Sequence, residues 1–154
     1  MTLHFAYGSN MSRALMQARC PRAEAIGTAT LSGWRFIINP EGFGSIAPQL
    51  GERVYGVLWR LSARDLAAVN AYESVDSGLY VRRHLSVRCG ATRAVALVYI
   101  ARRRGEGLPR PGYIPLVVKA AREWQLPEAY IHAIARWAPS RWAGARAKDT
   151  GEVG

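Results

Sequence analysis

The order of strand-like and helix-like segments is the feature that most limits the fold of this 154-residue chain. Runs rich in β-branched and aromatic residues dominate its middle: AIGTATL, WRFIIN, GSIAP, RVYGVLWRL, LYVRRHLSVRC and RAVALVYIA. Helical patterns lie mainly towards the ends, in MSRALMQAR, YIPLVVKAAREW and PEAYIHAIARWA. Because strands and helices do not alternate regularly, the order predicts an α+β domain with a small, mixed, barrel-like sheet and flanking helices.

The hydrophobic content of 49% is enough for one domain to bury a core, and we expect that domain to span residues 1–139. Residues 140–154 are rich in Ala, Gly, Arg and Lys without an apolar period, which predicts a basic, flexible C-terminal tail. No apolar run approaches the length that crosses a bilayer, so the expectation is a cytoplasmic protein without membrane contact.

The formal net charge of +10 raises the possibility of nucleic-acid binding. The arginines are spread over the whole length, however, with one short cluster in ARRRGEG at 101–107. Neither zinc-finger spacing nor the aromatic and Gly-rich motifs of RNA-binding modules accompany them. Scattered surface arginine is therefore the favoured interpretation, and a nucleic-acid surface remains an alternative.

Metal and cofactor chemistry find no support in the spacing of potential ligands. His4, His84 and His132 are dispersed, and Cys20 and Cys89 form no Cys-x-x-Cys pair, so we expect two reduced thiols and no metal site. The chain also lacks a phosphate-binding loop and the Gly-x-Ser-x-Gly frame of a nucleophile elbow. The prediction is a site without metal or cofactor.

The segment Tyr7-Gly8-Ser9-Asn10-Met11 joins a strand-like run, TLHFAY, directly to a helical pattern. At such a junction free backbone N–H groups and the positive end of the helix dipole converge, and together they can hold a carboxylate. The same residues are equally consistent with an ordinary turn capped by Asn10 or Ser12. Tyr7 alternates with Leu3 and Phe5, which also fits a core position.

A second informative segment is NAYESVDSGLYVRRHL, which follows a helical pattern opened by Ser62 and Asp65 in the manner of a capping box. Glu73 stands at the end of that helix, and Tyr80 lies on the more polar face of the strand that follows. From the residues alone, Glu73 also fits a solvated carboxylate at a helix end.

Taken together, FAYGSNM at 5–11 and ESVDSGLY at 73–80 resemble the γ-glutamylcyclotransferase family, whose small barrel-like α+β domain is also called AIG2-like. The resemblance extends through GSIAPQLGERVYGVLWRLSARDLAAVNAYES and RPGYIPLVVKAAREWQLPEAYIHAIA, so it covers the chain from about Leu3 to Pro139. Two departures stand out, since Ser74 replaces a frequent Gly after the glutamate and Gln125 replaces a Gly before Leu-Pro.

This resemblance implies an enzyme that cyclises a γ-glutamyl amino acid or γ-glutamylamine to 5-oxoproline and releases the free amino acid or amine. It implies that the backbone of Gly8 to Met11 binds the α-carboxylate of the substrate and that Glu73 is the general acid and base. The remaining substrate-binding residues that it implies are Tyr7, Ser9, Asn10, Met11, Tyr80 and Tyr113. Asn10 favours the broader γ-glutamyl branch, because the glutathione-specific relatives usually carry Leu at that position.

Two alternatives stay open beside this prediction. The first is a non-catalytic relative of the same fold that binds another small molecule, and the second is the basic nucleic-acid-binding domain considered above. The sequence is equally compatible with a monomer and a homodimer, and it leaves the identity of the leaving amine open.

Overall fold

The computed structural model describes residues 1–73 and 78–139. Its helices are α1 (Arg13–Arg19), α2 (Ala63–Tyr72), α3 (Tyr113–Glu123) and α4 (Glu128–Ala135), and a short 3-10 turn spans Ser9–Met11. Its strands are β1 (Thr2–Ala6), β2 (Glu24–Ile38), β3 (Gly44–Leu61), β4 (Tyr80–Cys89) and β5 (Thr92–Ala101). The predicted tail at 140–154 and the predicted departure at Ser74 lie outside the described residues.

The five strands form a closed barrel in the order β1-β3-β2-β4-β5. Four of the pairings are antiparallel, whereas β1 and β5 pair in parallel, with His4 opposite Leu97. This parallel contact makes the sheet mixed and closes it, which leaves the barrel without the free edges of an open sheet. The predicted α+β class with a barrel-like mixed sheet is confirmed.

Two pairs of predicted strands turn out to be single long strands. AIGTATL and WRFIIN both belong to β2, and GSIAP and RVYGVLWRL both belong to β3. The pairing of β2 with β3 shifts register between Ala25 and Gly27 and again between Ser32 and Trp34. Gly33, which separates the two predicted runs of β2, therefore lies at an irregularity of the pairing, where the strand continues without ending.

Serine side chains begin the first two helices. The backbone N–H of Leu15 donates to Ser12 Oγ at 3.2 Å, and the N–H of Asp65 donates to Ser62 Oγ at 3.1 Å. Both contacts satisfy amides that have no partner inside the first helical turn. Of the two predicted caps for α1, Ser12 takes the role, so the side chain of Asn10 makes other contacts.

The C-terminal helices complete the core and support the turn that follows β1. Val117 and Ala121 of α3 and Ile131 and Ile134 of α4 are almost fully buried, as the apolar spacing of both helices predicts. At the end of α3, Trp124 Nε1 donates to the carbonyl oxygen of Met11 at 2.7 Å. The C-terminal end of α3 thus supports the 3-10 turn.

Three further observations concern the described residues alone. None of the helices within 1–73 and 78–139 has the length and apolar character needed to span a bilayer. Over the same ranges, no three His, Cys, Asp or Glu side chains come together in a group suited to a metal ion. Cys20 and Cys89 are both free thiols, and Cys20 is buried.

Candidate active site

A cavity of about 230 Å³ opens where the turn after β1 meets the end of α2 and the start of β4. Its volume is below the 300–1,000 Å³ that is usual for drug-sized ligands, so it suits a small molecule. The residues predicted for the site that line it are Tyr7, Gly8, Ser9, Asn10, Glu73, Tyr80 and Tyr113. Segments that are more than sixty residues apart in the sequence are therefore brought together around one space.

Met11 is the predicted substrate-binding residue that lies outside this lining. Its side chain is fully buried, and its N–H donates to the carbonyl oxygen of Gly8 at 3.0 Å. In the same way Ser12 N–H donates to Ser9 O at 3.0 Å. These two bonds form the 3-10 turn, so the Met11 amide serves the shape of the turn.

Glu73 carries the carboxyl group of the cavity and lies directly after α2, as its C-cap residue. Burial raises the pKa of this carboxyl to about 7, and the nearby Arg19 guanidinium offsets part of that effect. A carboxyl group whose pKa is near 7 exchanges its proton readily at neutral pH, which is what a general acid and base must do. The environment of Glu73 thus differs from that of a solvated helix end.

The backbone of the turn approaches one aromatic side chain very closely. A Cβ atom placed on Gly8 would lie 2.7 Å from Tyr113 Oη, and a Cβ on Gly44 would lie 2.7 Å from the same oxygen. The backbone amides of Gly44 and Ser9 also face this oxygen, although burial still raises the pKa of Tyr113 above its ordinary range. Only glycines allow the hydroxyl group of Tyr113 to sit between the two segments.

Tyr80 is held by two hydrogen bonds inside the protein. Its hydroxyl group donates to Gly44 O at 2.7 Å and accepts from Asn39 Nδ2 at 3.3 Å. The residue is buried, and burial raises the pKa of its phenol far above the ordinary value. Tyr80 therefore enters the cavity as a neutral, fixed phenol that also links β4 to the start of β3.

Tyr7 is both a core residue and a lining residue. Its hydroxyl group donates to the carbonyl oxygen of Tyr99, and its ring packs edge-on against Phe36. The two readings of Tyr7 that the sequence left open are thus compatible with each other.

Two further titratable groups of the lining, Tyr99 and His4, differ from Glu73 in the direction or consequence of their pKa shifts. Burial raises the pKa of the Tyr99 phenol and lowers that of the His4 imidazole to about 4, so both are neutral near pH 7. Among the described residues of the lining, Glu73 is therefore the group suited to proton transfer near pH 7.

Arg19, Tyr72 and Asn39 belong to the site but are not among the predicted site residues. Arg19 lies at the end of α1 and donates to Asn10 Oδ1, while Tyr72 places its hydroxyl oxygen 3.2 Å from Ser9 Oγ. Asn39 has a local signal, because Asn-Pro-Glu-Gly is typical of a turn, and its side chain indeed accepts from Phe43 N–H at 2.9 Å. Its contact with Tyr80 depends on how distant segments pack.

Comparisons with a family model, with curated proteins and with solved structures all point to similar proteins. A model of the AIG2-like family matches residues 53–134. A γ-glutamylcyclotransferase of Bos taurus is 25% identical over 98% of this chain and 86% of its own length, and one of Mus musculus is 25% identical over 92% and 81%. A solved structure of a γ-glutamyl cyclotransferase superposes with a TM-score of 0.81 at 25% identity, over 87% of this chain and 86% of that one.

Proposed function

This chain belongs to the AIG2-like family, and on that basis we propose that it is a γ-glutamylcyclotransferase. Its substrate is a γ-glutamyl amino acid or γ-glutamylamine, and its products are 5-oxoproline and the free amino acid or amine. The observation that carries the proposal is the meeting of the Gly8–Asn10 turn with Glu73, whose pKa is about 7, in one small cavity. The names of the relatives support the reaction class.

The first task of the site is to hold the substrate in the conformation that cyclises. We assign the α-carboxylate to the turn, because the backbone of Gly8 to Asn10 lines the cavity. Holding the α-amine near the γ-carbonyl carbon raises the effective concentration of the attacking nitrogen, which is a large part of the acceleration available to a ring closure. The neutral phenols of Tyr80 and Tyr113 confine the glutamyl chain between them.

The second task is proton transfer, which we assign to Glu73. The ionised carboxylate takes a proton from the α-ammonium group, and the free amine then attacks the γ-carbonyl carbon. A C–N bond forms in the five-membered lactam, and the bond to the departing nitrogen breaks when Glu73 returns a proton to it. The two protons that the attacking nitrogen loses balance the two that the departing amine gains as an ammonium ion, so the reaction consumes no other reagent.

A substrate panel tests this proposal directly. The purified chain is incubated with γ-glutamyl amino acids, γ-glutamylamines and glutathione, and 5-oxoproline is measured by chromatography. We expect turnover of at least one of the first two classes, and none of the same compound once its α-amine is acetylated, because the attacking nitrogen is then blocked. Heat of binding without 5-oxoproline from any compound would instead select a non-catalytic binding protein.

A further inference from the structure

A chain of side-chain contacts connects the end of α1 to the carboxyl group of Glu73. Arg19 Nη1 donates to Asn10 Oδ1, and Asn10 Nδ2 donates to Glu73 Oε1 at 3.3 Å. Asn10 is only 4% exposed, so water competes little for either contact. The amide of Asn10 therefore lies between a permanent cation and a carboxyl group that titrates.

The chemistry of arginine determines which way this amide points. A guanidinium group has N–H donors and no acceptor, so only the carbonyl oxygen of Asn10 can face Arg19. The NH₂ group of Asn10 must then face Glu73 in both protonation states of the carboxyl group. Without Arg19, nothing in this pair of contacts would prevent the amide from turning over and presenting its oxygen to a protonated Glu73.

A fixed N–H donor at Oε1 has a consequence for the other carboxyl oxygen. In a neutral carboxylic acid the carbonyl oxygen accepts a hydrogen bond better than the hydroxyl oxygen does, so the oxygen facing Asn10 becomes the carbonyl. We propose that Arg19 is a positioning residue that, through the amide of Asn10, places the transferable proton of Glu73 on Oε2. This rests on the proposed function, because it concerns the proton transfer assigned to Glu73.

A second contact of Arg19 supports the same role. The guanidinium group lies 3.4 Å from the ring centroid of Tyr72, the residue directly before Glu73. Tyr72 Oη in turn lies 3.2 Å from Ser9 Oγ. Arg19 therefore contacts both neighbours of the carboxyl group, the amide that donates to it and the last residue of α2.

Among the residues that the structure describes, Arg19 is the cation whose charge acts on the carboxyl group of Glu73. Arg19 comes from α1, and the other titratable groups that line the cavity are the imidazole of His4 and the phenols of Tyr7, Tyr72, Tyr80, Tyr99 and Tyr113. Arg19 favours the ionised form of Glu73 and so lowers its pKa against the effect of burial. Its removal should move the titration of Glu73 to higher pH.

Two variants in the same helix give a matched test. Arg19→Met removes the charge and the donor, and Arg13→Met removes the same groups from an arginine whose guanidinium carbon lies 3.7 Å from the ring centroid of Trp124. For Arg19→Met we expect kcat to fall about tenfold or more with KM changed by less than about threefold, and the acid limb of the pH profile of kcat/KM to move upwards. Arg13→Met should remain close to wild type in both respects.

The route through Asn10 is tested by a double-mutant cycle with Asn10→Leu. If Arg19 acts through the amide, kcat of the double variant should lie within about twofold of kcat of the slower single variant. If the reduction in kcat of the double variant equals the product of the two single reductions, Arg19 acts independently of Asn10. That result would overturn the proposal. Arg19→Gln, which is neutral and carries both donor and acceptor, provides the same kinetic comparison should Arg19→Met fold poorly, and wild-type kcat in it would also contradict the proposal.

A titration that needs no turnover separates this proposal from the proposed function. The ¹³C resonance of the Glu73 carboxyl group, identified by its loss in Glu73→Gln, is followed against pH in wild type, Arg19→Met and Arg13→Met. A higher midpoint in Arg19→Met alone supports the link even if no 5-oxoproline is formed by any of the chains. Identical midpoints in all three would overturn the link even if the wild type is an active cyclotransferase.

Discussion

The turn at Gly8–Met11 and the end of α2 face the same cavity, but different kinds of contact hold them. Hydrogen bonds between backbone groups form the turn, and Trp124 donates a further hydrogen bond to it. Its residues Ser9, Asn10 and Met11 are each less than 10% exposed. The end of α2 is more open, with Tyr72 44% exposed, and it is attached to the turn through the side chains of Ser9, Asn10 and Arg19. A rigid backbone suits substrate binding, whereas side-chain contacts suit the adjustment of a proton-transfer group.

This difference leads to different expectations for substitutions in the two regions. In the turn, a change that moves the backbone or its close neighbour should weaken substrate binding. At the end of α2, a change of one side chain should alter turnover or its pH dependence while binding persists. The next experiments test that division, beginning with the largest expected effect.

Gly8→Ala is expected to damage the turn, because the added methyl carbon would lie 2.7 Å from Tyr113 Oη. Either the tyrosine or the turn must then move, and misplacement by about 1 Å can reduce kcat/KM by up to about a hundredfold. Steady-state kinetics with the best substrate of the panel would show a loss mainly in KM. A matched control is the double variant Gly8→Ala with Tyr113→Phe, because the next nearest atom of Tyr113, its ring carbon Cζ, lies 4.0 Å from the added Cβ.

In that double variant the close contact no longer exists, so part of the lost affinity should return. Equal defects in the single and double variants would show that the closeness of the Tyr113 hydroxyl group is not what makes Gly8 necessary.

Tyr80→Phe should have a smaller effect that is shared between stability and binding. It removes the hydroxyl group that donates to Gly44 O and accepts from Asn39, and it leaves two buried polar groups without this partner. We expect the free energy of unfolding to fall by about 1–3 kcal/mol and KM to rise several-fold, with kcat changed less. Urea denaturation and initial-rate kinetics measure the two effects, and wild-type values in both would make the hydroxyl group dispensable.

Much of the architecture follows from local sequence patterns. The α+β class, the capping role of Ser62 and the position of Glu73 at the end of a helix are all predicted by residue spacing, which also limits the cap of α1 to Asn10 or Ser12. The continuity of β2 and β3 is not, because a glycine that permits a bulge looks the same in sequence as one that ends a strand. The parallel contact of His4 with Leu97 is also hidden, since it joins strands at opposite ends of the sheet order.

The residues of the candidate site also differ in whether the sequence predicts them. Gly8, Glu73 and Tyr80 stand in recognisable motifs, whereas Arg19 stands in an ordinary helical pattern that many surface arginines share. Its contact with the ring of Tyr72 depends on the packing of α1 beside the end of α2, which is distant in sequence. Interactions between side chains that are distant in sequence and variable in chemistry are what single-sequence patterns represent least well.

The central claim is that the turn binds the substrate and Glu73 moves the proton, and Glu73→Gln tests it most directly. Calorimetric titration of this variant with the best substrate is combined with measurement of 5-oxoproline in the same sample. We predict a Kd within about threefold of the wild-type value and a loss of turnover of about a thousandfold or more, since the amide retains the shape of the carboxyl group but cannot exchange a proton. Near-normal formation of 5-oxoproline by Glu73→Gln would contradict the account.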